Sequence, residues 1–74
     1  MRTPKLDLRA THAYEARQRI TPFIFKYWFQ NVKLYIVTGR NEDMKAIVLQ
    51  VLKERQLLYE MGGKFGGLIT TWTE

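Results

Sequence analysis

Leu34-Tyr35-Ile36-Val37-Thr38-Gly39-Arg40-Asn41 is the stretch that decides how this chain folds. Val32 to Val37 is β-branched and aromatic, the composition of a strand and of a central one. The strand runs into a polar, basic turn. Asn41 then stands where a helix needs a cap, with Glu42 and Asp43 in the first turn, where the helix dipole favours acid. The same pattern occurs once upstream. Lys5 to Leu8 is a short strand with Leu6 and Leu8 on one face and Lys5 and Asp7 on the other. Leu6-Asp7-Leu8-Arg9 then leads to a helix for which Thr11 is the expected N-cap. Two such turns bring two helix N-termini and two arginines, Arg9 and Arg40, to one edge of a sheet. Helix N-termini carry free N–H groups and partial positive charge, so this edge is a natural site for phosphate.

Outward from these turns, Ala13, Ala16, Ile20, Phe23, Ile24 and Tyr27 recur at helical spacing, with Glu15, Arg17, Gln18 and Arg19 mostly outside the stripe. Pro22 interrupts this pattern, because a proline removes a backbone hydrogen bond. A kink near Arg19 to Thr21, or two short helices meeting at Pro22, is the expected result. Gln30-Asn31 ends the helix, with Asn31 suited to a left-handed conformation. Met44, Ile47, Val48, Val51 and Leu52 form the stripe of a second helix. Gln56 to Met61 reads as a third strand, Gly62-Gly63-Lys64-Phe65-Gly66-Gly67 as a turn and Leu68 to Thr73 as a final strand. The order is β-α-β-α-β-β. Right-handed crossovers place both helices on the same side. The expected fold is therefore an α/β two-layer sandwich, two helices on one face of a small four-stranded mixed sheet. The uncovered face, polar and aromatic, is a second candidate binding surface. Trp28, Phe29 and Trp72 read as core or sheet-face packing, since so small a domain needs them inside.

Seventy-four residues make a single domain, 1–74, with residues 1–4 expected to be loose around Pro4. With no cysteine, neither a disulfide nor a thiolate metal site supplements the core, and 46% hydrophobic and 14% aromatic content fits the need for density. The absence of cysteine is compatible with a cytoplasmic location. Met1 to Lys5 is polar, and the most hydrophobic stretch, Phe23 to Phe29, is broken by Lys26. It falls short of the about 18 residues a membrane span needs, so no membrane partner is expected. A net charge of +5 favours polyanions such as nucleic acid or ribosomes.

These segments together resemble the Smr (small MutS-related) domain over nearly the whole chain. Leu6-Asp7-Leu8-Arg9 is similar to the family's opening Leu-Asp-Leu-His/Arg motif, in the arginine form found at the C-terminus of MutS-like proteins outside mismatch repair. Tyr14-Glu15-Ala16 sits where the family places Glu-Ala at the start of its first helix. Ile36-Val37-Thr38-Gly39-Arg40-Asn41 resembles its strand ending in His/Thr-Gly-x-Gly, and Gly62-Gly63 with Gly66-Gly67-Leu68-Ile69-Thr70 resembles its late glycine loop and last strand. Two positions depart: Ala10 replaces a glycine after the first motif, and Asn41 replaces the second glycine of the turn, which leaves that motif degenerate. The resemblance implies binding of DNA or RNA, with branched DNA or ribosome-associated messenger RNA as targets. It implies endonuclease activity less strongly, because the turn nearest the site is altered.

Each candidate residue has a structural alternative. Asp7 is either a general base or cation holder, or a hydrogen-bond acceptor for its own turn; a lone carboxylate is thin support for phosphodiester hydrolysis. The sequence has no metal signature, and a divalent cation such as Mg²⁺ enters only if the chain is catalytic. Arg9 and Arg40 follow strand ends, where a guanidinium can hold phosphate with two hydrogen bonds. Thr38 offers a hydroxyl, and Gly39 permits close backbone approach or positive φ. Asn41 is a helix cap first and a ligand second. His12, the only histidine, is read as a surface residue. In the glycine loop, Gly63 and Lys64 are placed for backbone phosphate and Phe65 for base stacking, or the loop is a hairpin whose Phe65 folds onto the core. Three functions follow: a nucleic-acid-binding domain, an active DNA or RNA endonuclease, or a protein-interaction module without nuclease activity that presents its sheet face to a larger partner.

Overall fold

The computed structural model describes residues 3–63 and 66–73. Strand β1 (Lys5–Asp7) leads to helix α1 (Ala13–Lys26), β2 (Lys33–Val37), α2 (Glu42–Glu54), β3 (Tyr59–Gly62) and β4 (Leu68–Trp72). The sheet order is β1-β2-β4-β3, with β1 and β2 parallel and the other pairs antiparallel. The expected two-layer α/β architecture is the one observed. Among the described residues no helix is long and apolar enough to cross a membrane.

Register explains which face is covered. Leu34 pairs with Thr71 and Ile36 with Ile69, and all four are buried. Their neighbours Lys33, Tyr35 and Val37 pair with Trp72, Thr70 and Leu68 on the other face, where no helix packs and none of the six is buried. Strand side chains alternate, so one register sends Leu34, Ile36, Ile69 and Thr71 together to the helix side. Ala16, Ile20 and Ile24 of α1 and Met44, Val48, Val51 and Leu52 of α2 meet Leu8, Ile36 and Ile69 in one core. Each is at most 1% exposed, so a truncation there would open a cavity and cost about 2–5 kcal/mol.

Several local expectations are corrected. Helix α1 runs unbroken through Pro22. Pro22 lies on the exposed side, as does Gln18, whose carbonyl would otherwise accept from the N–H of residue 22. The cap of α1 is His12, not Thr11, and it makes no side-chain cap bond; the Thr11 hydroxyl instead accepts from Arg19 Nη1 at 2.8 Å. The helix stops at Lys26 rather than Gln30, although Asn31 does adopt a positive φ of 54°. Gln56 does not open β3. It closes α2 at φ 58°, while its N–H donates to Lys53 O (3.1 Å) and that of Leu57 to Leu52 O (3.0 Å). This pair of bonds is the Schellman arrangement, in which the left-handed position is ordinarily glycine. Phe29 is 82% exposed, against the expectation that it packs inside. Pro4 is tied to the sheet, its carbonyl accepting from Tyr35 N–H at 2.9 Å.

Candidate nucleic-acid interface

Because β1 and β2 are parallel neighbours, the two strand-to-helix turns leave the sheet side by side. The ladder continues one residue past β1, with Leu8 N–H donating to Val37 O at 2.8 Å. Arg9 then lies across Gly39: a Cβ on Gly39 would sit 3.3 Å from Arg9 Cγ, and the φ of +67° there already favours glycine. From the far side the glycine loop closes on the same point. A Cβ on Gly67 would lie 2.9 Å from Gly39 O, so two backbones touch with no room for a side chain. Gly67 O accepts from Thr38 N–H (2.8 Å) and Gly39 N–H (3.2 Å). The turn of β2 is thus clasped to the strand that returns as β4.

That clasp uses up the Thr38 hydroxyl. Thr38 is 2% exposed, and among the described residues its Oγ1 donates to Gly67 O and Gly39 O, each at 3.3 Å. A hydroxyl has one proton to donate, so Thr38 shapes the turn and does not face a ligand. Asn41 is the helix cap, its Oδ1 accepting from Met44 N–H at 3.0 Å. Its presence in place of a glycine therefore has a local cause.

Asp7 and Arg9 form a fork. Arg9 Nη2 donates to Asp7 Oδ2 at 2.6 Å, its Nε reaches both carboxylate oxygens at 3.0 and 3.1 Å, and its backbone N–H adds a bond at 3.0 Å. These side-chain and then backbone hydrogen bonds hold the Asp7 carboxyl down at about 2. Asp7 in this arrangement is a weaker proton acceptor than an ordinary carboxylate.

Two cations that the sequence pattern concealed lie close to these turns. Arg19 reaches back along α1 to Thr11, and Asp7, Arg9, Ala10, Thr11 and Arg19 line one open groove. Lys45 is 5% exposed, with Nζ 3.1 Å from Glu42 Oε1 and 3.8 Å from where a Cβ of Gly66 would be. It takes a place on the buried stripe of α2 while Ile47 is only half-buried. A lysine beside Met44 on an apolar face was the available signal. Arg40 is exposed at the tip of the second turn, and Gly63 is exposed with a φ of 72°. Lys64 and Phe65 lie outside the described residues. At the N-terminus of α1, His12 and the 79% exposed Tyr14 stack with ring centroids 5.4 Å apart. Among the described residues no group of three or more His, Asp or Glu could hold a metal ion.

No protein-family model, no curated protein and no solved structure matches this chain.

Proposed function

We propose that this chain is a nucleic-acid-binding domain of the Smr type, which grips the phosphate backbone at its paired strand-to-helix turns. The observation that carries the reading is the meeting of Arg9 with Gly39, which sets the groove of Arg9 and Arg19 beside the turn of Arg40 and the N-terminus of α2. Asp7 engages Nε and Nη2 of Arg9, which leaves Nη1 for a phosphate oxygen. Exposed Gly63 gives the backbone close access, and the exposed Tyr14 offers a flat ring to an unpaired base. The +5 charge adds attraction for any polyanion. Binding is favoured over cleavage because Asp7, the one carboxylate among the described residues of the groove, is held by Arg9 as a weak base.

The test is fluorescence anisotropy with labelled single-stranded RNA, single-stranded DNA and branched DNA at two salt concentrations. Arg9→Glu combined with Arg40→Glu is expected to weaken binding by about tenfold or more and to flatten the salt dependence, since each phosphate contact contributes a slope of about −0.7 on single strands. Circular dichroism checks that the fold persists. Unchanged affinity in a folded double variant rejects the site. The same samples incubated with Mg²⁺ and run on a gel test the endonuclease alternative: products that disappear in Asp7→Asn would give Asp7 a catalytic role.

A further inference from the structure

The far pole of the molecule has a different surface chemistry. There α1 and α2 end, β2 begins and β4 finishes, so it lies at the opposite end of the sheet from Arg9 and Arg40. A cavity of about 270 Å³ opens at this pole, walled by Trp28, Phe29, Arg55, Leu57, Leu58 and Trp72. Around it Phe29 is 82%, Leu58 71% and Phe25 48% exposed. The rings form a row, Phe25 to Trp28 at 5.8 Å and Trp28 to Phe29 at 6.0 Å, and the Arg55 guanidinium lies 4.6 Å over Phe25. Phe29 holds a φ of 64°, a left-handed conformation that bulky residues rarely adopt. Nothing in the core requires it, since Phe29 is not among the residues packed there. Aromatic side chains and arginine, without lysine or acid, are the composition of the centre of a protein–protein interface.

We propose that this pole docks a partner protein through an acidic segment carrying a bulky apolar anchor, the anchor filling the cavity between Trp28 and Trp72. Charge selects this occupant. Among the described residues Arg55 is the one charged residue in the wall, Lys26 and Lys53 occupy the last turns of the two helices, and nearby Glu54 is bound to Arg17 at 2.8 Å. A second copy fits less well, because it brings together two molecules of +5 charge and offers no acidic residue from the same wall to Arg55. A nucleic-acid strand would use the rings and leave Leu57 and Leu58 against polar backbone.

The experiment is selection of a random displayed peptide library on the intact chain and on the Phe29→Ser/Leu58→Ser double variant. Both side chains are mostly exposed, so the variant is expected to fold, and thermal denaturation verifies it. The expected result is a set of peptides with Leu, Phe or Trp flanked by Asp and Glu, whose affinity falls about tenfold or more on the double variant and on Arg55→Glu. Enrichment without acidic residues, or binding indifferent to these substitutions, overturns the proposal. Sedimentation showing a dimer that Phe29→Ser dissolves overturns it in favour of self-docking. Labelled RNA that loses affinity for Phe29→Ser, with Arg9 and Arg40 intact, overturns it in favour of nucleic acid.

Discussion

The two poles handle the same backbone problem in opposite ways. At the turn pole, the left-handed positions are filled by Gly39, Gly63 and Gly66; at the helix-ending pole they are filled by Phe29, Asn31 and Gln56. Glycine is needed at the first pole because chains touch there, Gly67 against Gly39. At the second pole large side chains are kept where glycine would be more comfortable. A non-glycine residue in this conformation costs about 1–2 kcal/mol. The difference teaches that the first pole is shaped by its backbone and the second by the side chains it displays.

Substitution at Gly67 should have the largest effect. Gly67→Ala sets a methyl group 2.9 Å from Gly39 O, and backbone is the neighbour least able to yield. A loss of about 2–3 kcal/mol is expected in urea denaturation, with binding at the turns lost in parallel. An unaffected stability would mean that the clasp is looser than its geometry. The reverse substitution at the other pole comes next. Gln56→Gly relaxes the end of α2 and should stabilise by about 1 kcal/mol, or about 4–8 °C in Tm for a domain this size. Should it destabilise instead, the Gln56 side chain makes a contribution that outweighs its strain. The smallest effect is electrostatic and separates the turn pole by pH. The Asp7 carboxyl is lowered from 3.8 to about 2 in the folded protein, so its contribution is present above 3.8 and fades as pH falls through about 2. Asp7→Asn should therefore lower Tm slightly at neutral pH, and the gap should close between pH 4 and 2. A gap that persists at pH 2 would assign the effect to packing rather than charge.

Much of the first pole was readable because its signals are local. Alternation at Leu34 and Ile36, the stripe of Met44, Val48 and Leu52, and a cap at Asn41 each need only a few neighbouring residues, and each recurs in the structure. What escaped depended on partners distant in sequence or on residues in unusual roles. Thr11 had the right chemistry for a cap, yet its hydroxyl is claimed by Arg19 eight residues on. Thr38 looked available until Gly67, far along the chain, took its proton. Lys45 stands on an apolar stripe, where spacing alone marks it as an error in the pattern. Gln56 carries none of the glycine signature that announces a helix end, so it was absorbed into the next strand. Phe29 follows a run of aromatics, and nothing in that run separates a buried ring from a displayed one.

The clasp at Gly67 also has a consequence for the order of events during synthesis. Gly39 lies near the middle of the chain, and its partner arrives only with β4, which must insert between β2 and β3. Closing contacts of such long sequence separation is slow compared with forming a helix or a hairpin. A nascent chain that has already made Arg9, Arg40 and the N-terminus of α2 therefore holds all the charges of the site without its shape. The two turns reach their final shape only when the segment from Gly67 to Trp72 has been translated and docked, so the binding proposed for them would have to wait until the whole sheet exists.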